Sequence, residues 1–137
     1  MQVKFTILGE PKGKGRPRFS RKTGTAITPK DTVNYETLVH MEYLEQCNGF
    51  RFEDDAMLDL RIKAYYSIPK STSKKKKAAM LAGEIRPTKK PDMDNVVKII
   101  ADSLNRVAYR DDTQIVDQQC RKFYSENPRV EVSIKNV

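Results

Sequence analysis

Leu58, Leu60, Ile62 and Ala64 alternate with Asp59, Arg61 and Lys63, and this two-residue rhythm is the strongest structural constraint in the chain. Successive side chains of a strand point to opposite faces, so such a segment buries one face and wets the other. It predicts a sheet packed on one side only. Val3, Phe5 and Ile7 repeat the pattern near the start, Val130, Val132 and Ile134 repeat it near the end, and Gln114 to Tyr124 reads as a further strand. The cover has to come from helices. Thr28-Pro29-Lys30-Asp31 carries the cap, the first-turn proline and the acidic residue of a helix start. It predicts a helix to about Cys47, with Tyr35, Leu38, Val39 and Leu44 turned inward and Asn48-Gly49 as the stop. Ser73 is placed to cap a short helix through Ala82, ended by Gly83. Between Met93 and Val107, the residues Ile99, Ile100, Leu104 and Val107 share one face of a second amphipathic helix.

The order strand, helix, strand, helix, helix, strand, strand predicts an α+β fold: a mixed β-sheet with helices packed mainly on one face, in a single small domain spanning residues 1–137. Asn127-Pro128 turns the chain between the last two strands, which are expected to form an antiparallel hairpin. A chain of 137 residues buries roughly two thirds of its unfolded surface, so the fold needs no disulfide or structural metal.

Charge narrows the class of partner. The formal net charge is +8, which favours an acidic partner such as nucleic acid. Apolar runs fall far short of the ~20 residues that cross a bilayer, so no membrane partner is expected. The opening M-Q-V-K-F-T-I-L-G-E has no apolar h-region, which argues against a secretory signal and for a cytoplasmic location. Cys47 and Cys120 fit no C-x-x-C pattern and read as buried or half-buried free thiols. His40, without Cys or His neighbours, reads as a structural helix residue.

Three features carry possible chemistry. The loop from Gly9 to Lys22 holds Lys12, Lys14, Arg16, Arg18, Arg21 and Lys22, six cations in eleven residues, with Phe19 among them. Its spacing is not that of a Walker phosphate loop, and it lacks the Ser or Thr that would hold magnesium. Such a loop neutralises phosphates and offers an aromatic for stacking, although a solvated loop has the same composition. The second feature is the run Lys74, Lys75, Lys76 and Lys77, extended by Arg86, Lys89 and Lys90, which suits DNA and a solvated helix face about equally.

The third feature is acidic. Asp92 and Asp94 open the second amphipathic helix, Lys98 and Asp102 follow at four-residue intervals on one stripe, and Asp111-Asp112 lie just before the next strand. Magnesium prefers hard oxygen ligands and takes one or two carboxylates together with waters and substrate phosphates, so two or three aspartates converging from a helix start and a strand start would suffice. From spacing alone an ordinary account stands level with this one: Asp92 as a helix cap, Asp94 and Lys98 as an i, i+4 ion pair, and Asp111-Asp112 as a turn.

The stretch D-M-D-N-V-V-K-I-I-A-D-S-L at 92–104, followed by R-D-D-T-Q-I-V-D at 110–117, resembles the RusA family of Holliday junction resolvases. The family pattern is D-x-D-N, a Lys four residues after the second Asp, an Asp four further on, then D-D-x-Q, and each element is present with its spacing kept. The opening strand, the G-x-P-x-x-K-x-R-P-R type of loop and the Thr-Pro before the first helix also look like the family, whereas the lysine-rich stretch 71–90 departs from it. The resemblance implies that Asp92, Asp94 and Asp112 are catalytic carboxylates binding Mg2+ (or Mn2+ in its place), and that Lys98 is a catalytic lysine. Asn95 and Asp102 match motif positions of less defined role, and Asp111 is the near neighbour of Asp112. It also implies a homodimer that resolves four-way junction DNA by paired, symmetric nicks. The basic residues expected to grip that DNA are Lys12, Lys14, Arg16, Arg18, Arg21, Lys74, Lys75 and Lys76. Two other readings remain: a non-catalytic nucleic-acid-binding module, and a nuclease acting on flaps or forks.

Overall fold

The computed structural model describes residues 1–15, 24 and 30–137, together with the backbone of 18–19 and 26–27. Arg16, Arg21, Lys22, Thr28 and Pro29 lie outside the described residues, as does the side chain of Arg18. The elements, in chain order, are β1 (Gln2–Leu8), the two-residue strands β2 (Arg18–Phe19) and β3 (Ala26–Ile27), α1 (Lys30–Gln46), β4 (Leu58–Ser67), α2 (Lys74–Leu81), α3 (Met93–Ser103), a 3-10 turn (Asp112–Gln114), β5 (Ile115–Ser125) and β6 (Arg129–Asn136). Four strands make one mixed sheet in the order β1-β6-β4-β5, with β4 and β5 parallel and the other neighbours antiparallel. A mixed α+β domain with its core on one side of the sheet is what the alternation predicts.

That core forms where Val3, Phe5 and Ile7 of β1, Leu58, Leu60, Ile62, Ala64 and Tyr66 of β4, and Val130, Val132 and Ile134 of β6 meet the inner faces of α1 and α3. The opposite sheet face carries Lys4, Arg61 and Lys63, all exposed. On α3, Val96, Ile99 and Ile100 are buried, and Leu104 just beyond it is fully buried. Phe5 meets Tyr43 of α1 edge to face, ring centroids 5.3 Å apart.

Three expectations are corrected. First, β5 and β6 are not a hairpin, because β4 lies between them. Strands two positions apart are roughly 10 Å apart. The link from Ser125 to Arg129 spans about 13 Å when extended, so it can pass over the end of β4. The strand with the cleanest apolar alternation takes the centre, and the more polar β5 takes the last place in the order. Second, α1 buries Thr32, Tyr35, Val39 and Tyr43, while Leu38 and Leu44 are 36% and 52% exposed. The buried set follows the i, i+3, i+4 stripe, and the two leucines stand off it. Third, α3 stops at Ser103 rather than Val107. Arg106 adopts a left-handed φ of 65°, and its N–H turns back to Tyr109 O at 2.7 Å. This lets Ala108 and Tyr109 enter the core from outside the helix.

The stop signals fall as expected. Asn48 and Gly49 both have positive φ after α1, Ser73 Oγ accepts from Lys76 N at the start of α2, and Gly83 is left-handed at its end. Both cysteines are free and half-buried.

Candidate active site

α3 and β5 form the two walls of a groove of about 300 Å³. Asp94, Val97, Lys98, Ala101 and Asp102 line it from the helix. Their spacing of three, one, three and one residues is a single helical stripe, the polar neighbour of the buried stripe. Asp112, Ile115 and Gln118 line it from the other side. Helix and strand thus bring Asp94 and Asp112, eighteen residues apart in sequence, into one cleft.

Each wall is held by identifiable contacts. Tyr66 of β4 donates its hydroxyl to Pro91 O at 2.6 Å, which seats the start of α3. Tyr109 donates to Ala101 O at 2.6 Å, satisfying a carbonyl in the last turn of α3. On the other wall, Asp111 caps the 3-10 turn: its Oδ2 accepts from Thr113 N at 3.1 Å, and Gln114 Oε1 accepts in return from Asp111 N at 3.2 Å. This is a capping box. Gln114 Oε1 also accepts from Arg110 N at 3.0 Å, while its Nε2 donates to Glu53 O at 2.9 Å and Ala56 O at 3.2 Å. The two adjacent aspartates therefore divide the work. Asp111 builds the turn, and Asp112 is presented to the groove.

The electrostatics are strained at Asp112. Burial raises its carboxyl above the ordinary carboxylate range, helped by a hydrogen bond to Asp102 and by the charges of Asp111 and Asp102, against a smaller opposing effect of Lys98. Two carboxyl groups held this close favour a shared proton or a cation between them. Asp102 Oδ2 lies 3.3 Å from Lys14 Nζ and 3.4 Å from Lys98 Nζ. Cys120, near Asp94 on β5, has its thiol pushed up to about 11 by burial.

The sequence-derived residues fall into distinct places. Asp94, Lys98 and Asp112 share the groove. Asp92 stands at the N-cap of α3, exposed and without a side-chain cap hydrogen bond among the described residues, and it is not part of the groove walls. Lys12 is exposed, but Lys14 turns inward to Asp102 and Glu36. Lys74, Lys75 and Lys76 are exposed on α2, with no ion pair among the described residues, whereas Lys77 pairs with Glu126 at 2.7 Å. Sequence reasoning passed over Gln118 and Glu36. The first is an exposed strand residue that faces the groove through the shifted register of β5 against β4, which local pattern does not give. The second carries no signal, because only the tertiary fold brings it to Lys14.

Among the described residues, no three His, Cys, Asp or Glu side chains stand close enough to hold a metal ion by themselves. Magnesium asks for less, since one or two carboxylates with water and substrate phosphate complete its shell. The donors here are all carboxylate oxygens, and the mutual repulsion at Asp102 and Asp112 is relieved by a cation. The residues present fit the ion on those terms.

The chain is 41% identical over 139 residues to the uncharacterized protein YqaN of Bacillus subtilis (strain 168), covering 98% of this chain and 96% of that protein. The family described as Endodeoxyribonuclease RusA matches residues 9–135, a span that holds the loop, the groove and both of its walls. This chain therefore belongs to the RusA endodeoxyribonuclease family.

Proposed function

We propose that this protein is a magnesium-dependent endodeoxyribonuclease that resolves four-way DNA junctions, acting in the cytoplasm as a homodimer that makes paired, symmetric nicks. One observation carries the reading. In a chain of net charge +8, three aspartates, Asp94, Asp102 and Asp112, are gathered with Lys98 in one groove. A basic protein gains nothing in DNA affinity by placing carboxylates there, and phosphodiester hydrolysis explains them.

In this reading Asp94 and Asp112 would hold the ion within the groove, and Asp92 would join them only through a movement of the helix start. When bound, the ion supplies a hydroxide near neutral pH and offsets the charge that builds on the scissile phosphate. Lys98, whose side chain is 61% exposed, reaches that phosphate or the leaving oxygen. Exposed Lys12, Lys74, Lys75 and Lys76 hold the flanking backbone. Each chain supplies one groove and a two-fold junction needs two cuts, which is the physical reason for a homodimer.

The test is a gel assay of four-way, three-way, forked and linear DNA, with and without Mg2+. Metal-dependent paired nicking of the four-way junction alone supports the reading, and preferential cutting of flaps or forks transfers the site to another substrate. A second reading, a DNA-binding module without catalysis, draws on the ion pairs that occupy Asp102. It predicts no cleavage with either Mg2+ or Mn2+.

A further inference from the structure

Two lysines meet one carboxylate oxygen in the groove, and they are held very differently. Lys98 is 61% exposed on its side chain, and among the described residues Asp102 is its one acidic partner. Lys14 is 21% exposed and lies between two carboxylates, 3.2 Å from Glu36 Oε1 and 3.3 Å from Asp102 Oδ2. Its backbone is fastened as well. Lys14 N donates to Asn95 O at 3.2 Å, and Gly15 N donates to Thr32 Oγ1 at 2.9 Å. One residue earlier, a β-carbon at Gly13 would sit 3.0 Å from the β-carbons of both Asn95 and Pro91, so the loop lies directly on the start of α3. These contacts hold Lys14 against α3 behind Asp102, not as a mobile arm.

The pairing has a consequence for Lys98. Asp102 is 20% exposed and lines the groove together with Asp112. If Lys98 were its sole cation, movement of Lys98 towards DNA would leave the Asp102 carboxylate without a paired cation beside Asp112, which like-charge repulsion opposes. With Lys14 anchored by Glu36, Asp102 keeps a cation when Lys98 departs.

We infer that Lys14 is a positioning residue which, anchored by Glu36, holds Asp102 in place so that Lys98 is free to leave it for the scissile phosphate. The inference rests on the reading of the groove as a phosphodiesterase site. It separates Lys14 from the other cations of the loop, since a lysine shared by two carboxylates has little charge left to offer a DNA phosphate.

The experiment compares the parent with Lys14→Met, Lys14→Arg and Glu36→Gln in two measurements. One is single-turnover cleavage at saturating four-way junction with Mg2+. The other is junction binding in EDTA across a salt series. Lys14→Met is expected to cut about 10–100-fold more slowly, as when a supporting partner of an active-site ligand is removed. Its junction affinity and salt slope should stay at the parent values, and Lys14→Arg should recover most of the rate. Glu36→Gln should fall between the parent and Lys14→Met. A parent-like rate for Lys14→Met overturns the inference. So does a salt slope shallower by about 0.9, the mark of one lost phosphate contact. If the parent itself cuts no branched DNA, the functional reading falls, and the salt slope still decides whether Lys14 belongs to the two carboxylates or to the DNA. If Lys14→Met fails to fold, Glu36→Gln carries the comparison, and a parent-like rate there is equally fatal.

Discussion

Gln114 is expected to be the residue whose loss most damages the presentation of Asp112 without touching the groove's charges. Replacing it by alanine removes four hydrogen bonds: two accepted from Arg110 N and Asp111 N, and two donated to Glu53 O and Ala56 O. A net ~1 kcal/mol per bond sets an upper bound of about 4 kcal/mol. Water reaches this half-exposed turn and takes over part of the bonding, so the expected loss is about 2–3 kcal/mol. At roughly 3 °C per kcal/mol for a domain of this size, the melting temperature should fall by about 6–9 °C. The same change releases the turn that aims Asp112, so cleavage at a temperature where the variant remains folded should drop about 10–100-fold. Thermal denaturation and single-turnover cleavage of a four-way junction measure the two effects. A Gln114→Ala variant that melts within about 1 °C of the parent would refute the bonding account. One that is destabilised as expected but cuts at the parent rate would show that Asp112 does not depend on this turn.

Further outcomes follow from the same geometry. Asp94→Asn should abolish cleavage while junction binding in EDTA is retained or tightened, since a negative charge near the phosphates is removed; parent-like cleavage would dismiss Asp94 from the site. The raised Asp112 carboxyl means that the folded chain keeps a proton which the unfolded chain releases above about pH 3.9. Its contribution to stability, full below that pH, is therefore lost as pH rises through the folded-state value. Asp112→Asn should flatten this decline in urea melts between pH 4 and 7 without metal ion, and parallel curves for parent and variant would contradict it. Glu126, the partner of Lys77 on α2, lies eight residues beyond Gln118 of the groove, roughly 26 Å along an extended chain. Changing Lys74, Lys75 and Lys76 together to Gln should therefore weaken binding only of junctions whose arms extend more than about 8 base pairs from the cut, at 3.4 Å per pair. Equal loss on short and long arms would place α2 elsewhere on the DNA.

Much of the fold is legible in the chain because it rests on local periodicity. β4 alternates cleanly from Leu60 onward, so its strand and buried face follow directly, although Asp59, expected on the wet face, is buried with Arg61 donating to both its oxygens; Val96, Ile99 and Ile100 mark the inner side of α3 by their spacing. The ends of α1 and α2 are equally local, since Asn48-Gly49 and Gly83 tolerate positive φ where most residues do not. The failures are at positions where local preference leaves several outcomes open. A short Asn-Pro link between two strands suits a hairpin, yet the apolar β4 takes the central position and separates them. Leu38 and Leu44 are as hydrophobic as the residues that α1 buries, and only the direction of the helix axis over the sheet leaves them outside.

The site divides the same way. Spacing along one chain places Asp94, Lys98 and Asp102 on one stripe, because 3.6 residues per turn is a property of any helix. It also marks D-D-x-Q as a turn ahead of a strand. What spacing does not contain is which of Asp111 and Asp112 builds that turn and which faces the groove, that Gln118 lies opposite α3, or that Lys14 is drawn in between Glu36 and Asp102. Those depend on contacts between residues far apart in sequence, made only when helix and sheet pack. A side chain's role there is decided by the charge across from it, and the primary structure does not name that neighbour.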